Sequence, residues 1–356
     1  MRIIKYPLFY SIGISIFLIL NSRWRYTFRL LFIRPRVKKI TPKPVYNVYK
    51  EEDKPLVSIV QGDDIYTMLR EGIKLLGGLE KLGIKGKSIL IKPNIVNRYA
   101  NPSNTNPLVV KHTIRLLHES GVSKIFVGDM SAIFALPTKK NAMKSGIWEA
   151  IGKECMEFIS FEDYGWVEID IKQGRFLKKV FVSKIIYEVD RVINIPVIKT
   201  HGYTHYSIAL KNFMGAIHPR QRPFFIAPNS WDELIAELNL AYIPHLNILD
   251  GTKIFIRGGP TKGTVATPNL IIITGDRIAA DAVGLSIIKA FGGLERVSDK
   301  NIWEQRQIKR AIELNLGISD PSKLKIIAKC LATNKHSFGE LMQKIYYHLK
   351  IEEPVY

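Results

Sequence analysis

The feature that most constrains the fold of this chain is the alternation, from Leu56 onward, of short apolar runs with segments of helical spacing. The apolar runs are rich in Val and Ile, which predicts buried strands, and the segments between them predict amphipathic helices. This alternation is typical of an α/β fold with a mainly parallel sheet and helices on both faces. Strands are predicted at residues 56–60, 88–91, 124–127, 192–198, 246–249 and 270–273, and helices at 63–79, 107–119, 138–151, 231–240, 277–291 and 302–314.

The N-terminal residues 6–20 form an apolar run without a charge, which we expect to be a hydrophobic helix that precedes the α/β body. A membrane anchor is the favoured interpretation, although the run is short for a span. A signal-peptide core and a helix packed on the body remain as alternatives. Seven basic residues between Arg23 and Lys39, against two before the run, place the body in the cytoplasm by the positive-inside rule.

The formal net charge of +20 is concentrated near the N-terminus. The first 50 residues hold 11 Lys and Arg and no acidic residue, so the rest of the chain has an excess of only nine positive charges. A surface for nucleic acid along the whole protein is therefore not expected, whereas an N-terminal segment in contact with membrane head groups is.

These observations predict four segments along the chain. They are a hydrophobic anchor with a basic juxtamembrane segment at residues 1–39, a linker at 40–55, an α/β domain at 56–320 and a C-terminal helical extension at 321–356.

Polar residues follow five of the predicted strands, at the point where each strand ends. In parallel α/β sheets, ligands bind at the carboxyl ends of the strands, so these residues predict one shared cleft. An alternative is that the strand ends simply form solvated turns. The residues are Lys92 and Asn94, Asp129, Lys199 and His201, Asp250, and Asp276.

The densest group of reactive side chains lies at residues 199–218, with the sequence KTHGYTHYSIALKNFMGAIH. Lys199 and Lys211 are expected to hold an anion, because lysine binds phosphate and carboxylate as a point charge. His201 is the candidate general acid/base or metal ligand. Further candidates for ligand binding are Lys92, Asn94, Asn212, His205 and His218.

Three carboxylates are candidates for binding a divalent cation or for orienting the lysines: Asp129, Asp250 and Asp281. Asp276, by contrast, is placed to cap the helix that begins at Arg277. The two cysteines, Cys155 and Cys330, do not form a Cys-x-x-Cys pair, so no iron–sulfur cluster is expected. The glycine-rich residues 258–263 lack the spacing of a P-loop, and a lid or an ordinary turn remains open there.

Several motifs together resemble the uncharacterised family called domain of unknown function 362, over about residues 88–288. Many members of that family also carry a ferredoxin-like cysteine module, which is missing from this sequence. The resemblance implies a fold and a site but no reaction. The motifs are IKPNIV at residues 91–96, GD at 128–129, IKTH at 198–201, ALKNFMG at 209–215, DG at 250–251, GP at 259–260 and GDRIAAD at 275–281.

The leading hypothesis is a membrane-anchored cytoplasmic α/β protein that binds a small anionic ligand bearing phosphate or carboxylate, with a divalent metal as a candidate assistant in catalysis. The competing hypothesis is a non-enzymatic basic scaffold that binds acidic lipid, RNA or a protein partner. The sequence leaves the reaction, the substrate and the oligomeric state open.

Overall fold

The computed structural model describes residues 22–32, 34–152, 157–293, 301–333 and 335–352. The apolar run at residues 6–20, expected to be an N-terminal hydrophobic helix, lies outside these ranges. Within them, every helix is too short or too polar to cross a membrane.

The described chain alternates strands and helices. The strands are β1 (Lys38–Lys39), β2 (Lys50–Glu51), β3 (Lys54–Gln61), β4 (Ser88–Pro93), β5 (Lys124–Asp129), β6 (Glu157–Ser160), β7 (Trp166–Asp170), β8 (Lys179–Ser183), β9 (Arg191–Ile195), β10 (Val197–His201), β11 (His205–Ser207), β12 (Leu246–Gly258), β13 (Gly263–Ala266), β14 (Leu270–Thr274) and β15 (Lys325–Cys330). The α-helices are α1 (Ser22–Phe32), α2 (Ile65–Leu75), α3 (Pro107–Glu119), α4 (Thr138–Lys144), α5 (Ile147–Ile151), α6 (Phe161–Tyr164), α7 (Ile185–Glu188), α8 (Ala209–Asn212), α9 (Pro223–Ile226), α10 (Trp231–Leu238), α11 (Arg277–Ala290), α12 (Arg306–Glu313) and α13 (Lys335–Leu349).

The large sheet has the strand order β15-β3-β14-β12-β9-β4-β5-β6, and β10 joins it beside the later part of β12. A separate three-stranded sheet has the order β1-β7-β8. Alternate residues of β14 enter two different cores, since Leu270 and Ile272 pack toward α11 while Ile271 and Ile273 pack toward α2 and α3. The large sheet is thus buried on both faces.

The prediction of a mainly parallel sheet is wrong, because both sheets are mixed. β14 is antiparallel to both of its neighbours, β3 and β12. The pairs β7–β8, β10–β11 and β12–β13 are antiparallel as well. The physical reason is the tight hairpin between β12 and β13: it reverses the chain, and β14 follows β13 after three residues in the same direction, whereas a parallel return would need a crossover of about a dozen residues or more.

The single strand predicted at residues 192–198 is two strands separated by Pro196. β9 lies between β4 and the first residues of β12, and β10 pairs with the later part of β12 across a register shift between Val197 and Lys199. Pro196 has no N–H to donate, and its carbonyl accepts from Asp250 N at 2.9 Å. After this break β10 continues beside β12, and it carries Lys199.

The C-terminal part of the chain, expected to be helical, contributes an edge strand as well as a helix. β15 pairs in parallel with β3 along its whole length, from Lys325 to Cys330. Helix α13 then packs against α11 through Ile345 and Leu349, both fully buried. These residues therefore belong to the same core as the large sheet.

Candidate functional site

A cleft of about 540 Å³ opens where β4, β5 and β10 end. Its wall is completed by α8, by the segment that leads into α9 and by residues from the loop after β12. Of the residues predicted as a site, those that line the cleft are Asn94, Asp129, Lys199, His201, Lys211 and Asn212.

Lys199 is buried in the cleft floor without a countercharge. Its side chain is 1% exposed, and its Nζ donates to Asn94 Oδ1 and, at 2.6 Å, to the carbonyl of Ser103. Both acceptors are neutral, and no described carboxylate forms an ion pair with Lys199. Burial, followed by the charge of Lys211, holds the pKa of Lys199 well below its usual range.

Lys211 and Arg222 add two more cations to the same cleft. Burial and then the charge of Arg222 lower the pKa of Lys211 to about 7. Arg222 Nη1 donates to the carbonyl of Ser131 at 3.1 Å, while its Nε and Nη2 are buried without a hydrogen-bond partner in the described chain. Burial lowers the pKa of Arg222 to about 10, a value at which it stays charged at neutral pH.

Asp129 is the carboxylate among the described lining residues, and its charge is already paired with that of Lys92. Its Oδ1 accepts from Lys92 Nζ at 2.7 Å, and its Oδ2 accepts from Ile95 N at 2.7 Å. Gly215 lies directly against this pair, since a Cβ there would collide with Asp129 Oδ1 and approach Lys92 Nζ to 2.9 Å. Among the described residues, Lys199, Lys211 and Arg222 are therefore the basic groups of the cleft that form no ion pair with a carboxylate.

Four asparagines form a hydrogen-bonded chain across the sheet beneath the cleft. From the Lys199 end they are Asn94, Asn212, Asn194 and Asn247, joined at 2.9, 2.8 and 3.0 Å. Each Nδ2 donates to the Oδ1 of the next residue, and the last Nδ2 donates to the carbonyl of Thr274 at 3.4 Å. This common direction leaves Asn94 Oδ1 as the acceptor that faces the Lys199 ammonium.

The three predicted histidines lie in different environments. His201 lines the cleft and its Nδ1 accepts from Tyr203 N at 3.2 Å, so the neutral ring carries its proton on Nε2. Burial and then Lys211 hold the pKa of His201 well below its usual range. His205 lies 3.5 Å from Asp232, outside the cleft lining. His218 packs edge-on against Trp166, and burial lowers its pKa to about 4.

The three carboxylates expected to bind a metal are not brought together. Asp129 pairs with Lys92, as described above. Asp250 accepts from Asn106 N at 2.7 Å and from Thr252 Oγ1 at 2.6 Å, and so anchors the loop at residues 97–106. Asp281 Oδ1 accepts from the N–H groups that open α8. The ranges given for the structure contain no cluster of three or more His, Cys, Asp or Glu that could hold a metal ion.

Asp276 caps α11 as predicted, with Oδ1 accepting from Ile278 N and Ala279 N at 2.9 Å. Its strand, β14, runs antiparallel to its neighbours, so its carboxyl end lies at the opposite edge of the sheet from the cleft. Asp250 lies within β12 rather than at its end. These two members of the predicted set therefore support the fold and do not line the cleft.

Arg222 was not predicted from the sequence, although it lies near residues that were. It lies four residues after His218, in the sequence His-Pro-Arg-Gln-Arg-Pro, just beyond the end of residues 199–218. The aromatic side of the cleft was also missed. Tyr203 and Trp231 stack with ring centroids 5.0 Å apart, and the rim includes Phe134 and Phe225. These residues come from separate segments, and only the tertiary structure brings them together.

Comparison with known proteins supports the resemblance found in the sequence. The family model described as Domain of unknown function (DUF362) matches residues 89–286, more than half of the chain. The chain is also 26% identical to the thylakoid-associated protein sll1697 of Synechocystis sp. over 275 residues, which cover 74% of this chain and 82% of that protein. The matched residues include every cation and amide of the cleft named above, and the chain belongs to the domain of unknown function 362 family.

Proposed function

We propose that the protein binds a small anion, a phosphate or carboxylate group, in the cleft between Lys199, Lys211 and Arg222. One observation carries this proposal: Lys199 is fully buried without a carboxylate partner in the described chain, beside two further cations. Buried charges in proteins are normally paired, because an isolated charge loses several kcal/mol of solvation. An anion in the cleft would supply the missing countercharge.

The same residues are suited to proton transfer on the bound ligand. Lys211, with a pKa of about 7, can accept a proton at neutral pH, which lysine in water cannot. Neutral His201 offers its Nε2–H as a hydrogen-bond donor to the ligand. We therefore infer that Lys211 exchanges a proton with the ligand and that His201 donates a hydrogen bond to it, while Asn94 and Asn212 hold the Lys199 side chain in place.

We also propose that the protein works at a membrane. The basic N-terminal residues and the apolar run before them support this, and the name of the Synechocystis relative describes that protein as thylakoid-associated.

Thermal unfolding of the full chain with inorganic phosphate, and separately with acetate, tests the anion site. At ten times the dissociation constant, the anion should stabilise the wild type by about 1.4 kcal/mol. Lys199→Met and Lys211→Met should remove this gain. Lys309→Met, which deletes an exposed lysine outside the cleft, should keep it.

An anion effect that survives in both cleft variants would contradict the proposal. If the anions have no effect while the full chain still binds RNA or acidic vesicles, the basic scaffold becomes the better account.

A further inference from the structure

We infer that the ligand is an amphiphile: its anionic head lies on Lys199, Lys211 and Arg222, and its apolar body lies along the aromatic side of the cleft. This inference rests on the proposed anion site and specifies what the anion is attached to. It starts from the volume of the cleft, about 540 Å³, which is in the range of pockets that hold drug-sized molecules and far exceeds one phosphate or carboxylate group.

Polarity changes along the cleft from its floor to its mouth. The Lys199 side chain at the floor is 1% exposed, whereas Phe225 and Phe134 at the mouth are 45% and 63% exposed. The charged end of a ligand would therefore lie deep in the cleft, and its apolar part would lie toward the opening.

One side of the cleft is lined by aromatic and aliphatic residues. Tyr203 and Trp231, both in the lining, stack on each other nearly parallel, at an interplanar angle of 16°. The other apolar side chains of the lining are Ile95, Val96, Met130, Ala132, Ile133 and Ile235. Most of these side chains are buried, so they give the inner part of the cleft an apolar lining, and the exposed rings lie toward the mouth.

Helix α1 lies at the edge of the cleft mouth. Thr27 Oγ1 donates to the carbonyl of Ile133, a lining residue, at 3.3 Å. Leu30 is buried on the same side of the helix, while Phe28 and Phe32 stack on its exposed side with centroids 4.4 Å apart. The exposed side of α1 thus carries two aromatic rings together with Arg29. Aromatic rings beside arginine suit a lipid head-group region, so we infer that the ligand enters from a membrane surface.

A series of n-alkyl phosphates tests the inference, with inorganic phosphate as the reference and calorimetric titration of the full chain as the measurement. Affinity should increase about three- to fourfold for each added methylene from ethyl to octyl phosphate, because each buried methylene contributes a constant gain. 1-Octanol, which lacks the head group, should not bind at the same concentrations.

A double variant at the cleft mouth and a single variant at the cation site distinguish binding of the tail from binding of the head group. Phe134→Ser combined with Phe225→Ser should flatten the dependence on chain length and leave the affinity for inorganic phosphate unchanged. Lys211→Met should weaken every member of the series by a similar factor. Tyr347→Ser, which removes an aromatic ring that is 79% exposed and outside the cleft, is the control and should change neither.

The outcomes distinguish this inference from the proposed function. If inorganic phosphate and octyl phosphate bind with the same affinity, and Lys211→Met weakens both, the ligand is not an amphiphile but the anion site is supported. Failure of every phosphate to bind would overturn both. Displacement of octyl phosphate by phosphatidylcholine vesicles that contain phosphatidic acid would confirm the membrane as source. An intact chain-length series without displacement would show that the amphiphile is bound from solution.

Discussion

At the scale of single residues, the cleft contains lysines whose charged form is destabilised by burial. Lys199 and Lys211 each have a lowered pKa because burial removes water from the ammonium group and because each feels the other cation or Arg222. Such an arrangement destabilises the fold in the absence of a ligand. Groups with strongly shifted pKa values are nevertheless common at functional sites, because the function requires the shift.

Lys211 should make stability depend on pH in a defined window. Its folded pKa is about 7 and its unfolded pKa is about 10.4, so between these values the unfolded chain holds a proton that the folded chain has released. The free energy of unfolding should therefore rise with pH from about 7 to 10, by up to about 1.4 kcal/mol per pH unit.

The variant Lys211→Met tests this directly. It should be more stable than the wild type at pH 7, and its advantage should shrink by pH 9, as measured by urea unfolding at each pH. Lys309→Met provides the matched control and should show no such convergence. Stability curves for Lys211→Met and wild type that stay parallel across this range would rule out the role of Lys211.

At the scale of elements, the position of the cleft residues depends on contacts between elements that are distant in sequence. Asp281 in α11 was expected to bind a metal or a lysine. Instead its Oδ1 accepts from Ala209 N at 2.7 Å and Leu210 N at 3.2 Å, the first N–H groups of α8. Since α8 carries Lys211 and Asn212, Asp281 positions two cleft residues without touching the cleft.

Replacing Asp281 should therefore affect both stability and binding. Asp281→Ala leaves two buried N–H groups without an acceptor, at about 1–3 kcal/mol each, and should also weaken phosphate binding. Asp281→Asn keeps an acceptor oxygen, so it should lose less stability and less affinity for phosphate than Asp281→Ala. Urea unfolding and calorimetric titration with inorganic phosphate give the two readouts, and equal losses in the two variants would contradict the account.

At the scale of the whole molecule, the strand near Leu56 and the C-terminal residues after Lys325 belong to one core. β15 lies beside β3, and α13 covers α11, so residues near the C-terminus complete the layer that begins near Leu56. The segment expected to be a C-terminal extension shares its buried residues with the large sheet, and we expect it to unfold together with that sheet.

Truncation of Ile345 tests this expectation. Ile345→Ala removes buried methyl groups and should lower the free energy of unfolding by about 2–5 kcal/mol in a single cooperative transition. Tyr347→Ala, on the exposed side of the same helix, should have little effect. A separate early transition, seen as non-coincident fluorescence and circular dichroism curves in urea, would show that α13 unfolds independently of the sheet.

The helices that could be predicted were those with local signals. α3 begins at Pro107 and ends at Glu119 as predicted, because Asn106 caps it and Pro107 occupies its first turn. The cap of α11 at Asp276 was predicted for the same reason. The helix predicted at residues 138–151 divides into α4 and α5, because Gly146 between them has a φ of 83°.

The sequence by itself determined the α/β class, the family and six of the residues that line the cleft, because apolar periodicity, short motifs and dense groups of reactive side chains are local properties. Only the tertiary structure decided the reversed direction of β14, the break at Pro196, the arrival of Arg222 beside Lys211 and the separation of the three carboxylates. These outcomes depend on which strands pair and which loops meet, and such contacts are selected by packing over the whole core rather than by neighbours in the chain.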